Sequence, residues 1–506
     1  MEDVDVLIAG AGPTGMVLAL WLAHQGVRVA IVDKAAAPGT TSRAMAVQAR
    51  TLELYRQLGL ADEVVAEGKQ SLAVNLWVKG KRKAHLSFRS AGARLTPYPF
   101  VLIYPQDQHE LLLERHLARA DVRILRETEL LDFEDDGARV VARLRTPGGE
   151  HLQGARFLAG CDGARSTVRH KLGAGFAGGT YDRIFYVADV QVRGLADDDE
   201  VHLSLETADF VILLAYSSEG RGRLIGTIRE DRENEGERSF DDVSQRAMRS
   251  LGLQVDQVYW FSTYRVHHRV TDHYRRGNVF LLGDAAHVHS PAGGQGMNTG
   301  IGDAINLAWK LAAVLKAQAP DALLDSYEAE RLAFARKLVD TTDRLFTFVT
   351  AEGNFADFVR TRIAPLFASV AYSLDPVREL IFRIISQTTI SYRDSPLSDG
   401  VAGEVHGGDR LPWALSEGQD NYAPLKRIGW QAQVFGAPRP ALADWCGRHG
   451  LPLRSFHWGR AHEEAGLARN ALYLVRPDYY VGLVDPTGSP DAIAGYLEDR
   501  GLRLAP

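Results

Sequence analysis

Cysteine is almost absent from this chain: two occur in 506 residues, Cys161 and Cys446, far apart and in neither CxxC nor zinc spacing. That excludes a disulfide framework and fits a reducing cytoplasm. No apolar run approaches membrane-spanning length, and the most apolar helical stretch, LAWKLAAVL, is broken by Lys310. Neither sign of charge dominates, with 58 Lys and Arg against 64 Asp and Glu. The chain therefore lacks the basic patch that nucleic acid or an anionic membrane requires. The acidic start, MEDVDVLIAG, does not read as a signal peptide, and low-complexity tracts are missing. What is left is a globular composition long enough for two to four domains.

Residues 4 to 9, VDVLIA, are short, apolar and β-branched, which suits a buried strand. GAGPTG follows at once and places Gly10, Gly12 and Gly15 in GxGxxG spacing. A helical MVLALWLAHQ and a second strand, VRVAIVD, then end at Asp33. Each residue has a physical task. Gly10 permits a tight turn, Gly12 lets the backbone approach a pyrophosphate, and Gly15 lets helix and strand pack closely. The helix start faces the phosphates and Asp33 can accept from a ribose hydroxyl. A second GxGxxG, GAGFAG at 173–178, follows a helical STVRHKL and precedes a strand-like run. It lacks the strand-turn-helix context and reads as a connector.

GDAAHVHSPAGGQGMNTG, residues 283 to 300, sets His287 and His289 in alternation with Asp284 nearby, a pattern open to a metal reading. Context argues otherwise. FLLG is a buried strand delivering Asp284 to its carboxyl end, where α/β sheets bind ligands. Pro291, Gly293, Gly294 and Gly296 make an irregular turn before a helix whose apolar stripe runs through Met297, Ile301, Ile305, Ala308 and Ala312. The expectation is no metal, with His287, His289, His267 and His268 as structural residues.

Three further stretches complete a pattern: SRAMAVQARTLELYRQLG (42–59), CDGARSTVR (161–169) and RRGNVFLLGDAAHVHSPAGGQGMNTGIGDAINLAWKL (275–311). With GAGPTG, they resemble the single-component FAD-dependent aromatic hydroxylases, the group of phenol hydroxylases and p-hydroxybenzoate hydroxylase that includes polyketide-tailoring enzymes. The resemblance covers about residues 4 to 345. It implies one Rossmann unit for FAD and no separate NADPH domain, as only one such unit is visible.

Roles follow by motif from that resemblance. Gly10, Gly12, Gly15 and Asp33 would hold the FAD pyrophosphate and adenosine ribose, with Pro13, Thr14, Lys34 and Leu130 around the cofactor. Arg43 matches an arginine that reaches the pyrophosphate, and Gln106 a glutamine near the ribityl chain. Asp284 matches the aspartate on a ribityl hydroxyl. Asp162 and Gly163 match a motif tied to both FAD and NADPH, with Arg165 assigned to NADPH. Pro291, Gly296, Met297 and Asn298 would meet the flavin, the helix start stabilising negative charge on the reduced ring. Pro291, Ala292, Gly293 and Gly294 would border the oxygenation site.

The middle of the chain holds strand-like segments, IFYVADVQV, EVHLSL, FVILLAY, RLIGTIRE and VYWFSTYRV, joined by the hairpin NLWVKGKRKAHLSF. The expected fold is α/β: a Rossmann-type FAD domain (1–74, 101–180 and 271–395) with an inserted antiparallel substrate sheet (75–100 and 181–270). Phe210, Ile212 and Leu214 alternate onto one face as a candidate substrate wall, with Met45 and Pro291. Residues 396–506 resemble the thioredoxin-like tail of phenol hydroxylases. Without CxxC that tail has no thioredoxin redox chemistry, which leaves a structural or homo-oligomerising role.

The implied activity is reduction of FAD by NADPH (or NADH), then O₂ chemistry through a flavin C4a-hydroperoxide that hydroxylates a phenolic or polycyclic aromatic. Alternatives are a Baeyer–Villiger-type or other tailoring monooxygenase, or a non-turnover FAD protein that binds and protects a reactive aromatic. Halogenases are disfavoured because WxWxIP is missing. Phenol hydroxylases place an aspartate where Met45 stands, so no general base can be named. A polycyclic substrate with its own acidic phenol fits that departure.

Overall fold

The computed structural model describes residues 3–504 except 40–43, 195–199, 206–209, 218, 229–238, 244–247, 250, 290–293 and 351–374; side chains of 182, 183, 340–350 and 375 are likewise outside the described set. Arg43, Pro291, Ala292 and Gly293 therefore lie outside the described residues.

The strand Val4–Ala9 ends in four fully buried positions, as its β-branched run leads one to expect. It pairs in parallel with Val29–Val32 on one side and Gly149–Gly160 on the other. Ile124–Leu125 and Val279–Leu281 extend the parallel core outward in the two directions. All of these strands run parallel, but the order in which they are added reverses at Val4–Ala9, and a crevice opens at its carboxyl end. The helix Pro13–His24 leaves that crevice with proline in its first turn and buries Met16 to Leu22 without interruption. It is apolar all round because it lies between the sheet and a second helix, Gly296–Leu315. An added Cβ on Gly300 would sit 2.3 Å from Thr14 Oγ1, so glycine is what lets the two helices approach.

A second sheet of eight strands covers the crevice. Its spine is two 18-residue strands, Phe176–Arg193 and Gln254–Thr271, longer than the expected 184–192 and 257–270 segments. They pair antiparallel with three register shifts. GAGFAG follows the helix Thr167–Lys171, its first three residues serving as the expected connector and its last three, Phe176 to Gly178, already belonging to the first of these strands. The hairpin of Ala73–Val78 and Lys81–Ser87 does join the sheet, but its first strand pairs in parallel with Glu200–Leu205. The sheet is therefore mixed rather than wholly antiparallel. The hairpin arrives from a distant part of the chain, so no tight turn dictates its direction.

The carboxyl-terminal sheet has strand order Leu453–Phe456, Gln431–Phe435, Leu472–Val475, Val481–Asp485. The first pair is parallel and the other two are antiparallel. Helix Pro440–Arg448 forms the crossover and Pro490–Asp499 follows the last strand. This is the thioredoxin-like order expected for the tail.

Candidate active site

The crevice is built by glycines with different tasks. Gly10 adopts φ +105°, and a Cβ there would meet the Cys161 carbonyl oxygen at 2.3 Å. A Cβ on Gly15 would meet the Gly10 carbonyl oxygen at 2.0 Å. Gly12 differs: no atom lies within 4 Å of where its Cβ would stand. Two glycines serve packing and one leaves the helix start open, as an approaching pyrophosphate requires.

Asp33 is held at the end of its strand by two backbone donors. Ala11 N–H donates to Oδ2 at 2.8 Å and Ala35 N–H to Oδ1 at 2.8 Å. Each oxygen retains a lone pair, and the carboxylate borders a cavity of about 190 Å³ shared with Gly12, Gln106, Glu110 and Arg126. Gln106 Nε2 donates to Glu110 at 2.8 Å, and burial raises the Glu110 pKa. The open glycine, the fixed carboxylate and the cavity together fit the nucleotide end of FAD.

A larger cavity of about 540 Å³ continues from it, with Gln106 and Gly12 on both. One side carries Pro13, Thr14, Gly163, Asp284, His289, Gly294, Gly296 and Met297. Asp284 is exposed toward this space. The helix Gly296–Leu315 starts here with no side-chain cap and no acidic residue in its first turn. Its free N–H groups and positive dipole end are thus available to a ring that gains negative charge. Gly294, at φ +61°, packs so closely that a Cβ would sit 2.8 Å from the Ala46 Cβ. The opposite side is apolar: Met45, Val74, Phe88, Val101, Ile103, Val201, Ile212, Leu214, Ile225 and Ile385. None of those ten side chains can accept a proton.

Asn298 sits just behind the cavity and is 1% exposed. Its Oδ1 accepts from Gln48 N–H at 2.9 Å and Thr51 Oγ1 at 2.8 Å. Its Nδ2 donates to the Ala46 carbonyl at 2.8 Å and the Gly294 carbonyl at 3.0 Å. The side chain thereby ties the glycine turn to the Met45–Ala46 wall.

His287 is buried in a charged cluster behind the turn, whereas His289 lines the larger cavity. His287 Nε2 lies 2.7 Å from Asp303 Oδ2, and Arg331 Nε donates to Asp303 Oδ1 at 2.6 Å. Burial alone would raise the Asp303 pKa, but the Arg331 guanidinium and His287 hold it below the usual carboxylate range. Gly283 N–H also donates to Asp303, at 3.0 Å, which secures the turn bearing Asp284. Among the described residues, no group of three His, Cys, Asp or Glu could hold a metal ion.

Some expected residues lie outside both cavities. Phe210 shares a face with Ile212 and Leu214 but stands at the far end of its strand, against Phe185 and Tyr264. Leu130 is 6% exposed in the core of the first sheet. Lys34 and Arg165 are exposed. Asp162 Oδ2 accepts from Val168 N–H at 3.1 Å, anchoring the helix that follows Gly163. Phe88 and Ile385 went unnoticed in the sequence because they come from short segments after the hairpin and from the helix Asp375–Ile385. No local pattern joins either to the pocket.

A family model described as FAD binding domain matches residues 3–342. The 6-methylpretetramide 4-monooxygenase of Streptomyces rimosus is 39% identical across 100% of this chain and 94% of its own length. Pentachlorophenol 4-monooxygenase of Sphingobium chlorophenolicum is 31% identical across 97% of this chain and 87% of its own. Among solved structures, the OxyS anhydrotetracycline hydroxylase from Streptomyces rimosus matches 100% of both chains with a TM-score of 0.77 and 26% identity. No helix among the described residues is long and apolar enough to cross a membrane. The chain belongs to the FAD binding domain family, among the FAD-dependent aromatic monooxygenases that its motifs resemble.

Proposed function

We propose that this protein is an NADPH-dependent (or NADH-dependent) hydroxylase of a polycyclic phenolic substrate, acting in the cytoplasm with O₂ as co-substrate. The observation that carries this reading is the apolar cavity wall facing the helix start, which includes Met45, the position that the resemblance to phenol hydroxylases would give to an aspartate. The cavity of about 540 Å³ is shared by the flavin ring and the substrate, and a wall with no proton acceptor suits a phenol that is acidic by itself. The relative named for 6-methylpretetramide, at 39% identity over the whole chain, supports this more strongly than the one named for pentachlorophenol at 31%.

Bound FAD supplies hydride acceptance and oxygen transfer. The protein's part is placement. Gly10, Gly12, Gly15 and Asp33 hold the nucleotide end, Gln106 and Asp284 the ribityl chain, and Gly294 to Asn298 the flavin ring. The helix start would stabilise negative charge gained by the bound ring, and the apolar wall would keep water from the reacting centre. Asp162 and Gly163 serve the nicotinamide donor. Residues 1–74, 101–180 and 271–395 form the FAD unit, 75–100 and 181–270 the substrate unit. The thioredoxin-like tail, residues 396–506, is structural or joins two copies of the chain.

The test is NADPH oxidation by FAD-loaded protein against panels of simple phenols and polycyclic phenols, with product mass and peroxide measured together. Polycyclic phenols are expected to stimulate oxidation and gain one oxygen. Stimulation by none of them, or by simple phenols alone, contradicts the reading.

A further inference from the structure

The carboxyl-terminal sheet reaches the active site through one turn. Between the strands Leu472–Val475 and Val481–Asp485, residues Arg476 to Tyr480 insert beneath the helix Gly296–Leu315. Arg476 is 0% exposed, and its guanidinium donates to both oxygens of Glu330, at 2.7 and 3.0 Å, and to Asp478 at 2.7 Å. Trp309 Nε1, from the flavin-edge helix, donates to the Asp478 carboxylate at 3.1 Å. Arg50 donates to the Asp478 carbonyl at 2.7 Å and Gln57 to the Pro477 carbonyl at 2.8 Å.

Two features go beyond ordinary packing between units. Tyr479 is held at φ +65°, a left-handed conformation that an aromatic residue adopts only when its surroundings impose it. The contacts also lead back to the site. Arg50 and Thr51 are neighbours at the start of the helix Ala49–Tyr55, and Thr51 Oγ1 donates to Asn298, which binds the Gly294 carbonyl and the Ala46 carbonyl. One turn of the tail therefore holds two elements that lead to the cavity, the flavin-edge helix at Trp309, thirteen residues past Gly296, and the helix Ala49–Tyr55 that follows the Met45–Gln48 segment at Arg50.

We propose that the Arg476–Tyr480 turn is a strut that sets the position of Gly294 to Asn298 against the Met45 wall, giving the thioredoxin-like tail a direct part in flavin placement. Asp478 and Trp309 are its positioning residues. The inference rests on the reading that Gly294 to Asn298 meet the flavin. Errors of about 1 Å at such an edge are enough to cost a large factor in rate.

The experiment uses full-length Asp478→Asn and, as a control matched in lost thermal stability, Leu442→Ala, which opens the core of the same tail away from the turn. Apoprotein is titrated with FAD, and amide hydrogen exchange is followed at residues 294–300 and 4–9. Asp478→Asn is expected to weaken FAD binding by about tenfold and to speed exchange at 294–300 but not at 4–9. Leu442→Ala is expected to leave both within about twofold. Equal effects of the two variants, or faster exchange confined to 472–485, overturn the strut. If Asp478→Asn does not fold, Trp309→Phe, which removes the indole N–H together with the fused five-membered ring, is read against Leu442→Ala in the same way. It should weaken FAD by about threefold, and an unchanged affinity overturns the proposal. The underlying reading is checked separately in the wild type. FAD must slow exchange at 294–300, and if it does not, the flavin placement fails whatever the variants do.

Discussion

Single positions in the crevice carry different loads although they share one motif. Gly12→Ala has room for its methyl and should leave the apoprotein melting temperature within about 2 °C while weakening FAD binding by about tenfold or more. Gly15→Ala drives a methyl into the Gly10 carbonyl, with 2.0 Å available, and should lower stability by about 3 kcal/mol in urea unfolding. A second residue-scale test uses His109, which is buried against the Tyr55 hydroxyl at 2.9 Å. Burial lowers its pKa to about 4. The folded-state value lies below the unfolded one, so the unfolded chain takes the extra proton between those two values. Stability should therefore fall by roughly 3 kcal/mol between pH 6.5 and pH 4, and His109→Asn should remove that slope in denaturant midpoints. The glycine roles were legible in the spacing, since each follows from backbone geometry. His109 was not, because nothing in YPQDQHELL reveals that Tyr55 and Tyr104 will enclose it.

At the scale of elements, the helix Gly296–Leu315 shows where pattern reading stops. Of its expected stripe, Ile301, Ile305, Ala308 and Ala312 are buried at 1% exposure or less, while Met297 is only half-buried and lines the larger cavity. Asp303 and Lys310, positions a pattern would give to solvent, are at 0%. Their partners, Arg331 and Glu330, come from the next helix, and Arg476 from the far end of the chain. Only tertiary packing brings these charges together, so a helical period cannot announce them. Removing one partner should be costly. Asp303→Asn leaves the Arg331 cation buried beside a neutral amide and frees the Gly283 turn. The expected loss is about 3 kcal/mol by urea unfolding, with weaker FAD retention because Asp284 sits on that turn.

For the whole molecule, the nucleotide crevice was readable in part, because one contiguous stretch of about thirty residues supplies its glycines and Asp33, whereas Glu110 and Arg126 line it from elsewhere in the chain. The larger cavity was only half readable. Ile212 and Leu214 follow from strand alternation, but Phe88, Val101 and Ile385 reach the same space from three unrelated segments. The parallel pairing of the hairpin strand, and Phe210 turning away to Phe185, likewise depend on how the sheet twists as a whole. Filling the apolar wall should separate the two ends of the cavity. Leu214→Trp is expected to leave FAD affinity within about twofold while raising KM for a polycyclic phenol by about tenfold or more.

The central claim is that this apolar wall and the helix start hold an aromatic ring for oxygenation. It is tested most directly by single-turnover reaction of FAD-reduced protein with ¹⁸O₂ and a polycyclic phenol. The expected product is heavier by one ¹⁸O atom, with little peroxide released. Unlabelled product, or quantitative peroxide with the phenol recovered unchanged, would contradict it.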